Sequence, residues 1–279
     1  MEQSKKLTLK RTANNIRLGI IEAVYNAACG HPGGSLSIAD VLTYLYFEEM
    51  NIDPKNPQDP GRDRFVLSKG HTAPALYSTL AERGFFDKEE LKTLRKTASR
   101  LQGHPDMKGV PGVDMSTGSL GLGFSTACGM ALSAKVSGDS YRVYSALGDG
   151  ESEEGQVWEA AMFASHYKLD NLVAIIDLNG LQIDGPITEV MNPMPHDEKL
   201  RAFGWHVITI NAHDFDEIEA AFKEARTVVG KPTAIIAKSV KGKGVSYMEN
   251  SCEWHGQAPK IDLYEVAVAD LKKIEEELK

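Results

Sequence analysis

With 279 residues, a formal net charge of −8 and a pI near 5.5, the chain lacks the basic excess that would suit nucleic acid or an anionic membrane as its main partner. Hydrophobic residues make up 42% and charged residues 25%, which excludes disordered and fibrous classes. Three scattered cysteines without a CxxC pair exclude a disulfide framework. The amino terminus lacks the apolar core of a signal peptide, and no run approaches the roughly 18 apolar residues of a membrane span, so we expect a cytoplasmic protein.

Short apolar runs alternate with helix-periodic segments along the chain. The predicted strands are 64–67, 143–147, 172–178, 205–210 and 234–238. Helices are predicted at 155–167 and at 215–229, the second capped by Asp214 or Asp216 and ended by Gly230 with Pro232. Three of the strands read as nearly continuous hydrophobic runs, which is typical of strands covered on both faces. The pattern predicts an α/β fold: a doubly wound, mostly parallel sheet with helices on both faces.

Long loops rich in glycine and histidine interrupt this pattern. They are predicted at 29–37, 97–117, 180–195 and 241–260. Loops longer than about 12–15 residues inside a compact domain are usually functional or disordered, and these carry Gly, His or Asp in specific turns, which favours function. We interpret 241–244, KGKG, as a mobile basic loop near a substrate entrance. Residues 1–279 are predicted to form one domain, in which 261–279 is a charged helix that packs on the domain or contacts a partner.

An acidic loop, LGDGESEEGQVW, follows the second predicted strand. Asp149 comes directly after this strand, and Asn179 follows the next one, so the two side chains converge if the strands are neighbours. A carboxylate, an amide oxygen and a backbone carbonyl suit Mg²⁺ or Ca²⁺, and so small a protein ligand set normally borrows diphosphate oxygens. An EF-hand is excluded because its sixth position would be Glu154. Glu151 and Glu153 are most simply interpreted as acids that suit a helix dipole.

The spacing of GDG, then twenty-eight residues, then Asn179 resembles the thiamine diphosphate motif. Its surroundings resemble the amino-terminal half of transketolase over essentially the whole chain. The motifs that carry the resemblance are GHPGGSLS (30–37), RDRFVLSKGH (62–71), GHP (103–105), TGSLGLG (117–123), GDGESEEG (148–155), DLNGLQIDG (177–185), FGWHVI (203–208), AHD (212–214) and WHGQAP (254–259). Nine such motifs in order make the likeness specific.

The resemblance implies a thiamine diphosphate and magnesium site. Asp149 and Asn179 would bind the metal through their side chains, and Leu181 would bind it through its backbone carbonyl. Gly150 would let the diphosphate approach, and Glu154 matches a family glutamate at the subunit contact that links active sites. The remaining implied cofactor contacts are Ile183, which would pack on the thiazolium ring unless it is ordinary core, and the backbone of Gly118, Ser119 and Leu120. Ser119 stands where the family commonly has proline, which puts the rigidity of that turn in doubt.

Four of the eight histidines lie beside Gly or Pro in predicted loops. By the resemblance, His31, His104 and His255 line the substrate channel and bind the ketose or stabilise charge on its oxygen. His71 would contact the cofactor, and His255 would also lie near the diphosphate. No role is assigned to the remaining four, which are His166, His196, His206 and His213.

The resemblance also implies a partner. In full-length transketolases, the glutamate that activates the cofactor lies in a second, pyrimidine-binding domain beyond the part matched here. We therefore expect a separate subunit that carries this domain, a heterotetramer with two copies of each chain, and ketol transfer between sugar phosphates. The alternatives are a related thiamine diphosphate enzyme, resembling 1-deoxyxylulose 5-phosphate synthase, dihydroxyacetone synthase or a specialised sugar transketolase, and a non-catalytic regulatory subunit. A magnesium-dependent nucleotide-binding protein is disfavoured, because neither phosphate-loop pattern is present.

Overall fold

The computed structural model describes residues 1–278, which form a five-stranded sheet and its covering helices. The strands are β1 Arg64–Leu67, β2 Val143–Gly148, β3 Leu172–Leu178, β4 His206–Asn211 and β5 Thr233–Lys238. The α-helices are α1 Gln3–Ala27, α2 Pro32–Ser37, α3 Ala39–Tyr44, α4 Ala73–Arg83, α5 Leu122–Ser137, α6 Gly155–His166, α7 Ile187–Val190, α8 His196–Ala202, α9 Phe215–Thr227 and α10 Ile261–Glu277. A π-helical turn, Leu45–Glu49, and 3₁₀ turns at Gly70–Thr72, Lys88–Thr93 and Gly150–Glu153 complete the elements.

All the strand pairs are parallel, and the strand order is β1-β2-β3-β5-β4. Successive residues of one strand face opposite sides of the sheet. In β3, for example, Val173 and Ile175 belong to the core that α1, α3, α4 and α9 cover, whereas Ala174 and Ile176 belong to the core beneath α5, α6 and α8. Burial on both faces explains why these strands have continuous apolar sequences. The predicted α/β class, with a parallel sheet and helices on both faces, is confirmed.

The predicted strands agree with the structure to within one residue at each end. β3 has the predicted bounds, and β4 begins at His206 because Trp205 precedes it as a buried residue packed on α6. Helix α9 begins after Asp214, whose side chain accepts a hydrogen bond from the Asp216 amide (2.9 Å), so of the two predicted caps the structure selects Asp214. Helix α9 ends at Thr227, two residues before the predicted end.

Two predicted loops contain helices. The stretch 29–37 includes α2, which is buried along its length, and the stretch 180–195 includes α7. In α2 the two adjacent glycines hid the helix, because glycine is a poor helix former in isolation. Here tertiary packing supplies the stability that the local sequence lacks.

Helix α10 packs against α1. The Asn14 amide on α1 donates a hydrogen bond to the Leu271 carbonyl (2.9 Å), and Leu271 is fully buried. The carboxyl-terminal helix therefore has a structural role on one of its faces. No helix within residues 1–278 has the length and apolar character that crossing a membrane requires.

Candidate functional site

The ends of β2 and β3 bring Asp149 and Asn179 to one edge of the sheet. Gly148 and Asp177 are paired in register, so the residues that follow them leave the sheet side by side. The Asp149 carboxylate accepts hydrogen bonds from the Gly180 amide (2.6 Å) and from the Gly150 amide (2.9 Å), and only 2% of the residue is exposed. This one buried carboxylate therefore links the two strand ends.

Asn179 is oriented by hydrogen bonds at both ends of its amide. Its Nδ2 donates to Asp177 Oδ2 (3.3 Å), while its Oδ1 accepts from the Leu181 amide (3.1 Å). Asp177 itself is fully buried and accepts hydrogen bonds from Lys69 Nζ (2.5 Å) and from the Ser37 hydroxyl (2.6 Å). Burial opposes ionisation of Asp177, but the Lys69 ammonium outweighs it and holds the pKa of that carboxyl below its usual value.

Asp149 has the opposite electrostatic setting. Burial, and secondly the nearby Asp177 carboxylate, raise the pKa of Asp149 to about 6. Lys241 is buried as well, and burial lowers the pKa of its ammonium to about 8. Its Nζ donates to the Leu181 carbonyl (2.8 Å). A buried carboxylate with a raised pKa and a backbone carbonyl that faces a cation are oxygen donors that suit a hard divalent ion.

These donors fit a metal that is bound together with an anion. Within residues 1–278 no group of three or more His, Cys, Asp or Glu side chains is placed to hold a metal ion alone. Asp149 is thus a single carboxylate that would need further oxygen ligands from outside the protein. The diphosphate of a cofactor would supply them.

Three of the predicted histidines form a triangle of rings on the other side of the same space. The ring centroids of His31 and His71 are 5.2 Å apart, those of His31 and His255 5.5 Å, and those of His71 and His255 5.2 Å. Their neighbour His104 contacts the Gly118 backbone, since a Cβ on Gly118 would lie 3.3 Å from the His104 ring.

All four of these rings are held neutral. Burial lowers the pKa of His31 to about 4 and that of His255 to about 3, and it also lowers the pKa of His71 and His104. Nearby cations, among them Lys241 and Arg95, add to the effect. A neutral imidazole offers one donor and one acceptor, which suits hydroxyl groups better than carboxylates.

Hydrogen bonding sets the tautomer of one ring and leaves another with a free nitrogen. The Lys241 ammonium contacts His255 Nδ1 (2.9 Å), so Nδ1 accepts and the proton of His255 is on Nε2. His31 Nδ1 is buried without a hydrogen-bond partner in the described residues. An unpaired polar atom at such a position is a feature that a bound ligand would satisfy.

One cavity of about 480 Å³ joins the two groups. Of the predicted site residues, its walls include His31, His71, Gly118, Leu120, Asp149, Gly150, Glu154, Asn179, Leu181, Ile183 and His255. His104 and Ser119 adjoin it without lining it. Ile183 is 65% exposed, so the core alternative for this residue is wrong.

Two interpretations of the acidic loop need correction. Glu151 does not serve a helix dipole: it is buried and accepts hydrogen bonds from the Ser68 hydroxyl (2.5 Å) and from the amides of Gly121 and Gly148 (both 2.9 Å). It therefore ties three segments of the cavity wall together. Gly150 is needed for space and not for a left-handed turn, because a Cβ there would lie 2.8 Å from Gln182 Oε1.

The interpretation of 241–244 as a mobile basic loop is also wrong. Lys241 is 1% exposed, and its ammonium forms part of the cavity wall. A Cβ on Gly242, which has a φ of +78°, would lie 2.2 Å from the Met248 carbonyl oxygen, so the segment is closely packed. The sequence does not reveal Lys69 and Lys241 as site residues, because lysine is rarely buried and their partners are far away in sequence.

Comparison with known proteins places the chain among thiamine diphosphate enzymes. The model of the family described as transketolase, thiamine diphosphate binding domain, matches residues 8–274. A 6-deoxy-6-sulfo-D-fructose transketolase subunit from a Clostridium species is 47% identical over 96% of this chain and 98% of its own length. One of the two subunits of an apulose-4-phosphate transketolase, from Phocaeicola vulgatus, is 44% identical over 97% of this chain and 96% of its own length.

Full-length relatives match over less than half of their length. Human transketolase is 44% identical over 97% of this chain and 43% of its own. The crystal structure of transketolase from Campylobacter jejuni superimposes with a TM-score of 0.89 at 34% identity, over 95% of this chain and 42% of that one.

Proposed function

This chain belongs to the transketolase family, of which it contains the thiamine diphosphate binding domain, and we propose that it is the cofactor-binding subunit of a two-subunit transketolase. The enzyme would move a two-carbon ketol unit from a ketose phosphate to an aldose phosphate. The observation that carries the proposal is the convergence of the Asp149 carboxylate and the neutral histidine triangle on one cavity.

We assign the cofactor grip to the strand ends. The side chains of Asp149 and Asn179 and the carbonyl of Leu181 would bind Mg²⁺ or Ca²⁺, and the diphosphate would complete the coordination. Asp149 then exists as a carboxylate despite its burial, because a dication offsets the cost that raises its pKa. Gly118, Ser119 and Leu120 would contact the cofactor through their backbone, and Ile183 would pack on its ring.

The histidines would act on the sugar. When bound, thiamine diphosphate supplies the carbanion that breaks and forms the carbon–carbon bond. His31, His104 and His255, neutral near pH 7, can donate to sugar hydroxyls and to an oxygen on which negative charge develops. His71 would contact the cofactor, and Glu154 would lie at the contact between subunits.

We further propose a partner subunit that carries the pyrimidine-binding domain. Two relatives of almost the same length as this chain are named as subunits, whereas full-length transketolases extend far beyond the matched part. A heterotetramer with two copies of each subunit, in the cytoplasm, would give two complete sites. The place in metabolism would be the pentose phosphate pathway if the substrates are the common pentose phosphates.

A second candidate is a transketolase for an unusual sugar. It is favoured by the names of the two relatives of matching length, which refer to 6-deoxy-6-sulfo-D-fructose and to apulose 4-phosphate. Both reactions use the same cofactor chemistry, so only the sugar contacts would differ.

Activity of the reconstituted pair tests the proposal. The chain would be co-expressed with a candidate partner, and ketol transfer would be measured with thiamine diphosphate and Mg²⁺ for xylulose 5-phosphate and for the sulfo- and apulose sugars. We expect activity from the pair and none from this chain alone. Full activity of the isolated chain, or a pair that binds no thiamine diphosphate, would contradict the proposal.

A further inference from the structure

A single backbone amide connects the end of β5 to the lysine in the cavity. The chain leaves β5 at Lys238, and Val240 precedes Lys241, whose ammonium reaches the Leu181 carbonyl (2.8 Å) and His255 Nδ1 (2.9 Å). The position of the Val240 amide therefore sets where the Lys241 backbone begins. The amide donates its hydrogen bond to a side chain, since its partner is His213 Nε2 (2.9 Å).

This contact fixes the tautomer of His213. A backbone N–H can only donate, so Nε2 must be the unprotonated nitrogen and Nδ1 carries the proton. Nδ1 lies 2.7 Å from Asp40 Oδ2 and donates to it. His213 thus passes from a carboxylate on α3 to the backbone of the segment that carries Lys241.

The carboxylate behind His213 is itself rigidly held. Asp40 receives both terminal nitrogens of Arg17, at 3.2 and 2.5 Å, and both residues are buried. Burial opposes ionisation of Asp40, but Arg17 and then His213 outweigh it and hold the pKa of that carboxyl well below its usual value. A charged, doubly bonded carboxylate is a firm anchor for the ring.

We propose that His213 is a positioning residue for the cofactor site, which holds Lys241 at the Leu181 carbonyl by accepting the hydrogen bond of the Val240 amide. The inference rests on the proposed function, because it assigns the Lys241 ammonium to the side of the cavity where the diphosphate and metal would bind. His213 touches none of the reacting atoms. Its effect passes through Val240 and Lys241.

Two amide side chains separate the halves of the ring. In His213→Asn the amide nitrogen can stand in for Nδ1 and keep the donor to Asp40, but nothing reaches Val240. In His213→Gln the amide oxygen can stand in for Nε2 and keep the acceptor for Val240. In complex with the partner subunit, we expect His213→Asn to weaken thiamine diphosphate binding with Mg²⁺ about tenfold by calorimetry, as the loss of outer-shell partners does elsewhere, and His213→Gln to bind close to wild type.

Hydrogen exchange provides a readout that needs no cofactor. The Val240 amide of the full chain should be protected in the wild type and in His213→Gln, and it should exchange faster in His213→Asn. His206→Asn is the matched control, because His206 lies on β4 and contacts only the exposed Glu224 (2.6 Å), so both measurements should stay at the wild-type value. Adding His213→Asn to Lys241→Met should cause no further loss of binding, since the first change acts through the second residue.

The outcomes are separable. Equal weakening by the Asn and Gln variants would make His213 a general structural residue and overturn the proposal, as would unchanged Val240 exchange in His213→Asn. If the wild-type complex binds no thiamine diphosphate, the proposed function fails, and Val240 exchange alone still decides whether His213 positions this segment.

Discussion

The two sides of the cavity solve different physical problems. The strand-end side, formed by Asp149, Asp177, Lys69 and Lys241, contains charged groups that are almost completely buried and are satisfied by one another and by backbone amides. The histidine side, formed by His31, His71 and His255, contains rings that burial keeps neutral. The contrast indicates that one side is built to hold a charged ligand tightly, while the other is built to contact a polar, uncharged one.

The largest expected effect comes from breaking the buried ion pair on the strand-end side. In Lys69→Met, Asp177 loses its ammonium partner but stays buried, so the free energy of unfolding should fall by about 3–5 kcal/mol. Urea unfolding of the isolated chain measures this. The matched control is Lys135→Met, which breaks a partly exposed pair with Asp170 (2.8 Å) and should cost less than about 1 kcal/mol. Similar losses in the two variants would remove the distinction between buried and surface pairs.

Removing the proposed metal ligand should affect binding most strongly. In Asp149→Ala the affinity of the complex for thiamine diphosphate and Mg²⁺ should fall by more than about 100-fold, because even outer-shell changes cost about 10- to 100-fold. Calorimetry on the complex measures it, with Asp139→Ala, an exposed carboxylate beyond α5, as the control. Binding that survives within about threefold would exclude Asp149 as a ligand, given that expected range.

The two sides should respond oppositely to acid. His31 and His255 have pKa values of about 4 and 3 when folded and about 6.5 when unfolded, so the unfolded chain takes up protons first. Their stabilisation is complete above pH 6.5 and declines as the pH falls towards 4, by about 1 kcal/mol per ring at pH 5 after allowance for partial exposure. Asp149, with its pKa raised to about 6, gains stability as the pH falls from 6 to 3.8.

Unfolding of the cofactor-free chain at pH 7.5, 6.5 and 5.0 separates these contributions. His31→Asn and His255→Asn should each reduce the loss of stability between pH 6.5 and 5.0 relative to wild type. His166→Asn, which alters a histidine outside the cavity, should leave the slope unchanged. If all three variants show the wild-type slope, the rings are not held neutral by burial.

The smallest expected effect concerns Ile183, which lines the cavity between the two sides. Because it is 65% exposed, Ile183→Ala should change the free energy of unfolding by less than about 0.5 kcal/mol. Val173→Ala, a truncation of a fully buried residue, is the comparison and should cost considerably more. A large loss of stability in Ile183→Ala would return this residue to the core.

Much of this architecture can be predicted from sequence because it depends on local pattern. The strand at 172–178 is an apolar run bounded by turns, and the parallel sheet then places Asp149 beside Asn179 without further information. The loops rich in histidine and glycine are recognisable as motifs in the same way. Features that local pattern specifies are therefore the ones that sequence reasoning reaches.

The remaining features depend on contacts between distant residues. Lys69 pairs with Asp177, and Lys241 bonds to the Leu181 carbonyl, over separations of 108 and 60 residues. Neither lysine has neighbours in sequence that signal burial, so the pattern gives no sign of the first and suggests a mobile loop for the second. Glu151 is misleading for the same reason, because its partners Ser68 and Gly121 come from other segments.

The cavity walls draw on segments from His31 to His255, so almost the entire chain must be folded before the site exists. Any coenzyme that binds there stabilises only the native state, and it does so by mass action. Supply of the vitamin from which that coenzyme is made would then regulate how much of this polypeptide survives quality control, independently of how fast the enzyme turns over.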